Sequence, residues 1–147
     1  MDREIAGFTL IEILVTLAIM GAMLAIAIPA YTDWQMERQI SSDTKKVLSF
    51  LQEERAKAFS TKQTIQLTID GTKTICDDMG NCVHTKNAFE ATSTNMTISS
   101  RGVFDNGHIR IQDDSLRKKY EPKFSCVSLT LTRARPGRYD GSDCHAK

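Results

Sequence analysis

Hydrophobic and polar positions change their rhythm twice along the chain. From Phe8 to Ile28 an apolar run of 21 residues precedes Pro29, and Glu12 is the only ionisable side chain between Phe8 and Ala30. As a helix such a run is about 30 Å long, the thickness of a bilayer's hydrocarbon core. Beyond Pro29 the chain stays free of Gly and Pro to about Ser60 and becomes amphipathic. Ile40, Thr44, Val47, Leu48, Leu51, Ala58 and Phe59 recur mostly at three- and four-residue steps and predict one apolar stripe. Glu37, Arg38, Asp43, Lys45, Lys46, Glu53, Glu54 and Lys57 largely occupy the rest. The stripe is sustained for too few heptads to predict a coiled coil, so its simplest use is packing on a sheet. Together the two halves predict one helix of about 50 residues, near 75 Å if straight.

From Thr64 the period becomes two. Ile65, Leu67 and Ile69 alternate with Thr64, Gln66 and Thr68, and Asp70-Gly71 predicts a tight turn into a strand over Thr72 to Cys76. Further short strands are predicted over Met96 to Ser99, Gly102 to Phe104, His108 to Gln112 and Ser125 to Thr132. Asn106-Gly107 is a second hairpin signal, and Pro136-Gly137 predicts a turn toward Tyr139. The segments 77–95 and 113–123 read as polar loops. The expected fold class is α+β: a helical spine followed by a small antiparallel sheet.

Composition narrows the function. The chain has 147 residues, and removing its apolar first fifth leaves about 115, enough for only a modest core. A barrel or a doubly wound catalytic sheet is excluded. The net charge of +1 excludes a generally basic nucleic-acid binder, but the charge is uneven. Residues 107–147 hold nine Lys and Arg against five Asp and Glu, whereas residues 1–106 hold ten against thirteen. A local basic patch is therefore expected near the C-terminus.

A secretory signal peptide would explain an apolar N-terminus, and Ala27-Ile28-Pro29-Ala30 has the look of a cleavage site. The run is too long for one, however, and the start Met1-Asp2-Arg3-Glu4 is not basic. The residues Gly7-Phe8-Thr9-Leu10-Ile11-Glu12 favour another reading. A short polar leader ends in Gly, and an apolar helix begins at once with Phe-Thr-Leu-Ile-Glu. This junction resembles the class III signal of the type IV pilin superfamily, and Pro29 and Tyr31 stand where such pilins usually carry them. Asp2 and Glu4 depart from the commoner basic leader, though acidic residues count little in the positive-inside rule.

The lone acid fits that resemblance on physical grounds. An ionisable side chain inside an apolar helix costs about 2.5–3.5 kcal/mol on insertion scales and needs a partner. No cationic side chain follows Glu12 until Arg38, and Arg3 lies in the leader. The nearest suitable cation is an α-amino group at Phe8, created only by cutting after Gly7. A protonated Glu12 near the headgroups is the alternative. The resemblance implies cleavage by prepilin peptidase, N-methylation of Phe8, and pairing of Glu12 with the methylated amine of a neighbouring subunit. It also implies that the stretch from Gly21 to Pro29 loses helicity on assembly, where both residues already weaken a helix.

The resemblance implies the type IV pilin fold. Its parts would be a leader (1–7), the membrane and assembly half of the helix (8–30), the amphipathic half (31–60) and a β-rich head (61–147). The order of elements, with a Ser-Leu-Thr-Leu strand running into an Arg-rich C-terminal segment, is similar to the GspH/FimT group of minor pilins and pseudopilins. It implies a structural subunit of a type IV pilus or a type II secretion pseudopilus. Such a subunit would sit in bacterial inner-membrane lipid before assembly and join other pilins in a filament.

The four cysteines favour disulfides in an oxidising compartment. Cys76 to Cys82 closes a short loop rich in turn-forming Asp, Gly and Asn, so the favoured pairing is Cys76 with Cys82 and Cys126 with Cys144. Three connectivities remain open from sequence alone. The second bridge would close a loop of about 19 residues, worth about 3 kcal/mol in the chain-entropy model. The resemblance to pilins implies such a C-terminal disulfide loop. His84 beside Cys82 and His145 beside Cys144 raise zinc, but without its usual ligand spacing. Asp77, Asp78 and Asn81 raise calcium, but the loop lacks the EF-hand length and its Glu. No metal or cofactor is expected. Nucleophile-elbow, P-loop and zinc-protease motifs are absent from the sequence, so an enzyme is not expected either. One minority signal remains. Arg133, Arg135 and Arg138, with Tyr139 beside them, predict guanidiniums around a turn that could grip the phosphates of DNA. Arg117, Lys118, Lys119 and Lys123 would extend that surface if the fold brings them alongside. FimT-like competence pilins imply the same use, against the plainer reading of a solvated turn.

Overall fold

The computed structural model describes residues 9–146. The chain divides into two units, Met1–Gln35 and Met36–Lys147. Helix α1 (Leu10–Thr61) belongs to both. In the first unit its side chains from Leu10 to Ile28 are exposed, and their hydropathy and length suffice to cross a membrane. In the second unit α1 packs on an antiparallel sheet, giving the expected α+β architecture.

Among the described residues the sheet has eight strands. They are β1 (Ile65–Asp70), β2 (Thr74–Asp77), β3 (Cys82–His84), β4 (Phe89–Ile98), β5 (Gly107–Ile111), β6 (Cys126–Thr130), β7 (Arg133–Tyr139) and β8 (Cys144–Ala146). Their spatial order is β3-β2-β1-β4-β5-β6-β7-β8, antiparallel throughout. The period-two alternation of β1 is reproduced in its burial, with Ile65, Leu67 and Ile69 inward. They meet Val47, Phe50, Leu51 and Ala58 of α1, together with Ile75, Phe89, Met96, Ile98, Ile109, Val127 and Leu129.

Several elements differ from expectation. Segment 77–95 is not a loop: it holds β3 and most of β4. The middle of β4, Thr92 to Asn95, is exposed and shows no apolar alternation, and the strand is paired with β5 over Phe89 to Ala91 and with β1 at Glu90 and over Asn95 to Ile98. Segment 113–123 contains helix α2 (Asp114–Tyr120), started by Asp113, whose carboxylate accepts the Ser115 N–H at 2.8 Å. Gly102 to Phe104 reduces to one bridge between Ile98 and Phe104. Pro136-Gly137 is not a turn but lies inside β7. The hairpin between β6 and β7 turns instead at Leu131-Thr132, since Thr130 faces Arg133. Pro136 is tolerated because β8 pairs only with Gly137 to Tyr139, which leaves the β7 edge free at the proline.

The helix stripe needs three corrections. Phe50 is buried although outside the predicted stripe, whereas Phe59 is 57% exposed, its ring covered by the Lys62 ammonium at 3.8 Å. Asp43 and Glu54, assigned to the solvated side, are 1% and 2% exposed. Burying a carboxylate is costly unless it is hydrogen-bonded or paired. Asp43 Oδ2 accepts the Lys86 N–H at 3.0 Å, the Asn87 N–H at 3.1 Å and the Asn87 side-chain amide at 2.9 Å. It therefore fastens the β3–β4 connection to α1.

Glu54 belongs to a second tether. Lys57 Nζ lies 2.9 Å from Asp77 Oδ2 and 3.5 Å from Glu54 Oε2, the latter without an aligned hydrogen bond. Asp77 Oδ1 also accepts the Met79 and Asn81 N–H groups at 3.0 and 2.6 Å, and Oδ2 accepts the Asn81 amide at 2.7 Å. Two carboxyls thus share one ammonium. Burial raises the Glu54 carboxyl, the Asp77 charge raises it further, and Lys57 only partly opposes them. Burial also pushes Asp77 upward, but the hydrogen bonds from Lys57 and from Asn81 outweigh it and hold the group at about 2.

These opposite shifts predict a stability maximum in mildly acidic solution. The Asp77 contribution is complete above the ordinary Asp range and is lost as pH falls toward about 2; it is worth about 2 kcal/mol. Glu54 binds its proton more tightly folded than unfolded, so its contribution is complete below the ordinary Glu range and is lost as pH rises through its raised value. Urea denaturation of the detergent-solubilised chain at successive pH values should show both losses. Glu54→Gln should remove only the one on the alkaline side. An unchanged alkaline slope in that variant contradicts the assignment.

Candidate functional site

The first candidate lies at the start of α1. The Thr9 carbonyl accepts the Glu12 and Ile13 N–H groups at 3.1 and 3.3 Å, and Thr9 Oγ1 also accepts from the Glu12 N–H at 3.3 Å. Thr9 therefore caps the helix, and Glu12 stands three residues later in its first turn. A carboxylate there is favoured by the positive end of the helix dipole. Its side chain makes no ion pair among the described residues. Gly7 and Phe8 lie outside the described residues.

Gly21 and Pro29 are both inside α1. A Cβ at Gly21 would meet nothing within 4 Å, so packing within the chain does not call for glycine there. Pro29 has no N–H to offer the preceding turn. Its own carbonyl accepts the Thr32 hydroxyl at 2.8 Å.

The second candidate is the C-terminal end of the sheet. Disulfides join Cys76 to Cys82, across the β2–β3 pair, and Cys126 to Cys144. The second spans from β6 to β8 over β7, where Gly137 faces Cys126 on one side and Ala146 on the other. A Cβ at Gly137 would fall 2.5 Å from the His145 carbonyl oxygen and 3.0 Å from Cys144 Sγ. Glycine is needed here by close approach. Cys82 and Cys144 are oxidised and so are not thiolate ligands for zinc with His84 or His145.

The three arginines are not gathered around a turn. Arg133 and Arg135 alternate along β7 and line a shallow groove of about 260 Å³ with Ser128, Thr130 and Ala146. Neither has an acidic partner among the described residues. Arg138 has the opposite strand parity and is ion-paired to Glu121 at 3.1 Å. Arg117 does not extend the patch as a free cation. It pairs with Asp114 at 3.1 Å, donates to the Tyr139 carbonyl at 3.2 Å, and lies 5.4 Å from the Tyr139 ring. Asp140 organises the turn before β8. Its carboxylate is held well below the usual range by the Asp143 and Ser142 N–H groups, then by His145.

Sequence reasoning missed the use of Tyr139. Arg110 lies 4.6 Å from its ring and His108 5.3 Å, while Arg110 also pairs with Glu90 and Asp114. The alternation of His108, Ile109 and Arg110 carried that signal, since Ile109 is buried and its neighbours must face the other side.

Gly137→Ala should destabilise the protein by about 1–3 kcal/mol, the cost of forcing atoms into a packed site. Its denaturation midpoint should fall well below that of Gly21→Ala, where the backbone is helical and a Cβ meets nothing within 4 Å. Equal midpoints for the two variants contradict the close approach.

Comparison with known proteins bears on the first candidate. The prokaryotic N-terminal methylation motif matches residues 3–28. The type IV major pilin proteins PilE1 and PilE of Neisseria gonorrhoeae and the fimbrial protein of Neisseria meningitidis serogroup B are each 49% identical to this chain over 35 residues. That stretch is 24% of this chain and 21% of each relative, so the chain spans about a fifth of the length of the curated relatives it matches. No solved structure matches. The fold is α+β and pilin-like, and the methylation motif at residues 3–28 together with the pilin relatives supports the type IV pilin superfamily for the N-terminal segment of the chain.

Proposed function

We propose that the protein is a structural filament subunit, a minor pilin or pseudopilin of the GspH/FimT kind, in a type IV pilus or a type II secretion pseudopilus. The methylation motif carries this reading, since it leads into an apolar helix with one acid in its first turn. Prepilin peptidase cuts between Gly7 and Phe8 and so exposes an α-amino group, which is then methylated. Before assembly the apolar half of α1 anchors the chain in the inner membrane, with the head on the periplasmic side. In the filament, Glu12 pairs with the Phe8 amine of an adjacent subunit. An unpaired acid in apolar surroundings costs about 2.5–3.5 kcal/mol, so this pairing selects the assembled register. The open surroundings of Gly21 support its use against a neighbouring helix, and the missing N–H of Pro29 supports local loss of helicity between the two. The role is structural, as the names of the pilin relatives suggest.

Mass spectrometry of the membrane-extracted protein should find a chain beginning with N-methylated Phe8. A mature chain beginning elsewhere defeats the proposal. Glu12→Ala should remain in the membrane fraction but drop out of sheared filaments.

A second reading places a DNA-binding head for natural transformation on the same scaffold. It is favoured by Arg133 and Arg135, which share one groove with the hydroxyls of Ser128 and Thr130 and have no acidic partner among the described residues. Guanidiniums and hydroxyls are the groups that contact phosphate oxygens. Duplex DNA binding should weaken with salt and be lost in the double variant Arg133→Ala, Arg135→Ala. Arg138→Ala should retain it, because that guanidinium is spent on Glu121. Absence of binding by the parent chain at low salt rejects this reading.

A further inference from the structure

The apolar span of α1 ends on an aromatic pair that the proposed assembly contacts do not use. Tyr31 and Trp34 lie one turn apart with ring centroids at 5.9 Å, and they are 61% and 48% exposed. The hydroxyls in that span and beside the pair are satisfied inside the helix. Thr16 Oγ1 donates to the Ile13 carbonyl and Thr32 Oγ1 to the Pro29 carbonyl, each at 2.8 Å. From Ile13 to Ala30 no side chain therefore requires water. Charged residues resume with Asp33, Glu37 and Arg38. Tyrosine and tryptophan combine a flat apolar body with one hydrogen-bonding group, which suits them to the headgroup layer of a bilayer.

Spacing then decides where the other end falls. Glu12 precedes Tyr31 by 19 residues and Trp34 by 22. Along a helix these are about 28 and 33 Å, which bracket the hydrocarbon thickness of about 30 Å. Sliding the helix by one turn in one direction would draw Glu12 into hydrocarbon. Sliding it in the other would draw in Asp33 and then Glu37. The register is bounded on both sides by charge.

We infer that Tyr31 and Trp34 form a lipid-headgroup anchor that sets the depth of the unassembled chain and holds Glu12 at the opposite face of the bilayer. The inference rests on the membrane-anchored subunit proposed above and deepens it. Glu12 remains hydrated while the chain is in lipid. It enters apolar surroundings only on leaving the bilayer for the filament, so its pairing offsets the desolvation that assembly costs and is not a condition of insertion.

Trp34 is the only tryptophan, and all four cysteines are in disulfides, so the chain carries a native fluorophore and accepts one unique thiol label. The full chain is reconstituted in phosphatidylcholine–phosphatidylglycerol vesicles. Trp34 emission should lie to the blue of a water-exposed indole and be quenched most by lipids brominated nearest the headgroup. Ile13→Cys carrying a nitroxide should report a depth at the opposite boundary. Emission like that in water, or strongest quenching by lipids brominated at the chain end, overturns the anchor. A nitroxide at the bilayer centre overturns the placement of Glu12. Loss of the chain on alkaline extraction of the same vesicles overturns the membrane-anchored reading and the anchor with it. A chain that stays inserted with Trp34 at mid-depth overturns the anchor alone.

Discussion

One helix has to satisfy two solvents, and the rest of the chain follows from that division. From Leu10 to Ile28 α1 presents apolar side chains on every side, a pattern stable in lipid or against other apolar helices and costly in water. From Ile40 to Ala58 it presents one buried stripe, which needs a sheet to cover it. Between them in the sequence lie Tyr31, Trp34 and the first charges after the apolar run. One face of the small sheet is covered by that second half of α1.

Burial alone would let α1 slide or rotate on the sheet, since hydrophobic packing is weakly directional. Two carboxylates remove that freedom. Asp43 engages the connection before β4, and Lys57 with Asp77 engages the end of β2, so the helix is tied at points about four turns apart in the core half. Breaking either tether would leave a buried charge without its partner, a far larger penalty than a surface ion pair is worth. The tethers thus act more on register than on gross stability. The Asp77 tether also orders the loop closed by Cys76 and Cys82, so a helix contact and a disulfide constrain the same short segment.

Legibility followed the range of the interactions involved. The amphipathic half of α1 and the strands β1, β5 and β6 could be read because each writes its burial into its own periodicity. Asp43 and Glu54 could not. The groups that enclose them, Asn87 and Asp77, are 44 and 23 positions away, and no local rule distinguishes a solvated carboxylate from one buried against a distant strand. β4 was hidden for a related reason, since its hydroxyl-rich middle is exposed and the strand is held by the pairing of its two ends with β5 and β1. Pro136-Gly137 misled in a different way. Both are turn formers, yet here proline occupies a free edge and glycine clears room for a disulfide crossing above it. At the candidate sites, residue identities were legible but their grouping was not: strand parity separates Arg138 from Arg133 and Arg135.

That parity bears on where function should be sought. Most charged side chains at the C-terminal end are consumed by the fold. Arg110 and Arg117 flank Tyr139 and share Asp114, Arg138 takes Glu121, and Asp140 holds its own turn. Arg133 and Arg135 are left over among the described residues, on a face kept flat by Gly137 and fastened by Cys126 and Cys144. Glu12 is left over in the same sense at the other end of the chain. Neutralising these groups inside the protomer would have required only a nearby opposite charge, of the kind the fold supplies repeatedly elsewhere. Charges that folding leaves uncompensated contribute little to holding the protomer together, and where they are exposed they stay solvated and open to a partner outside it.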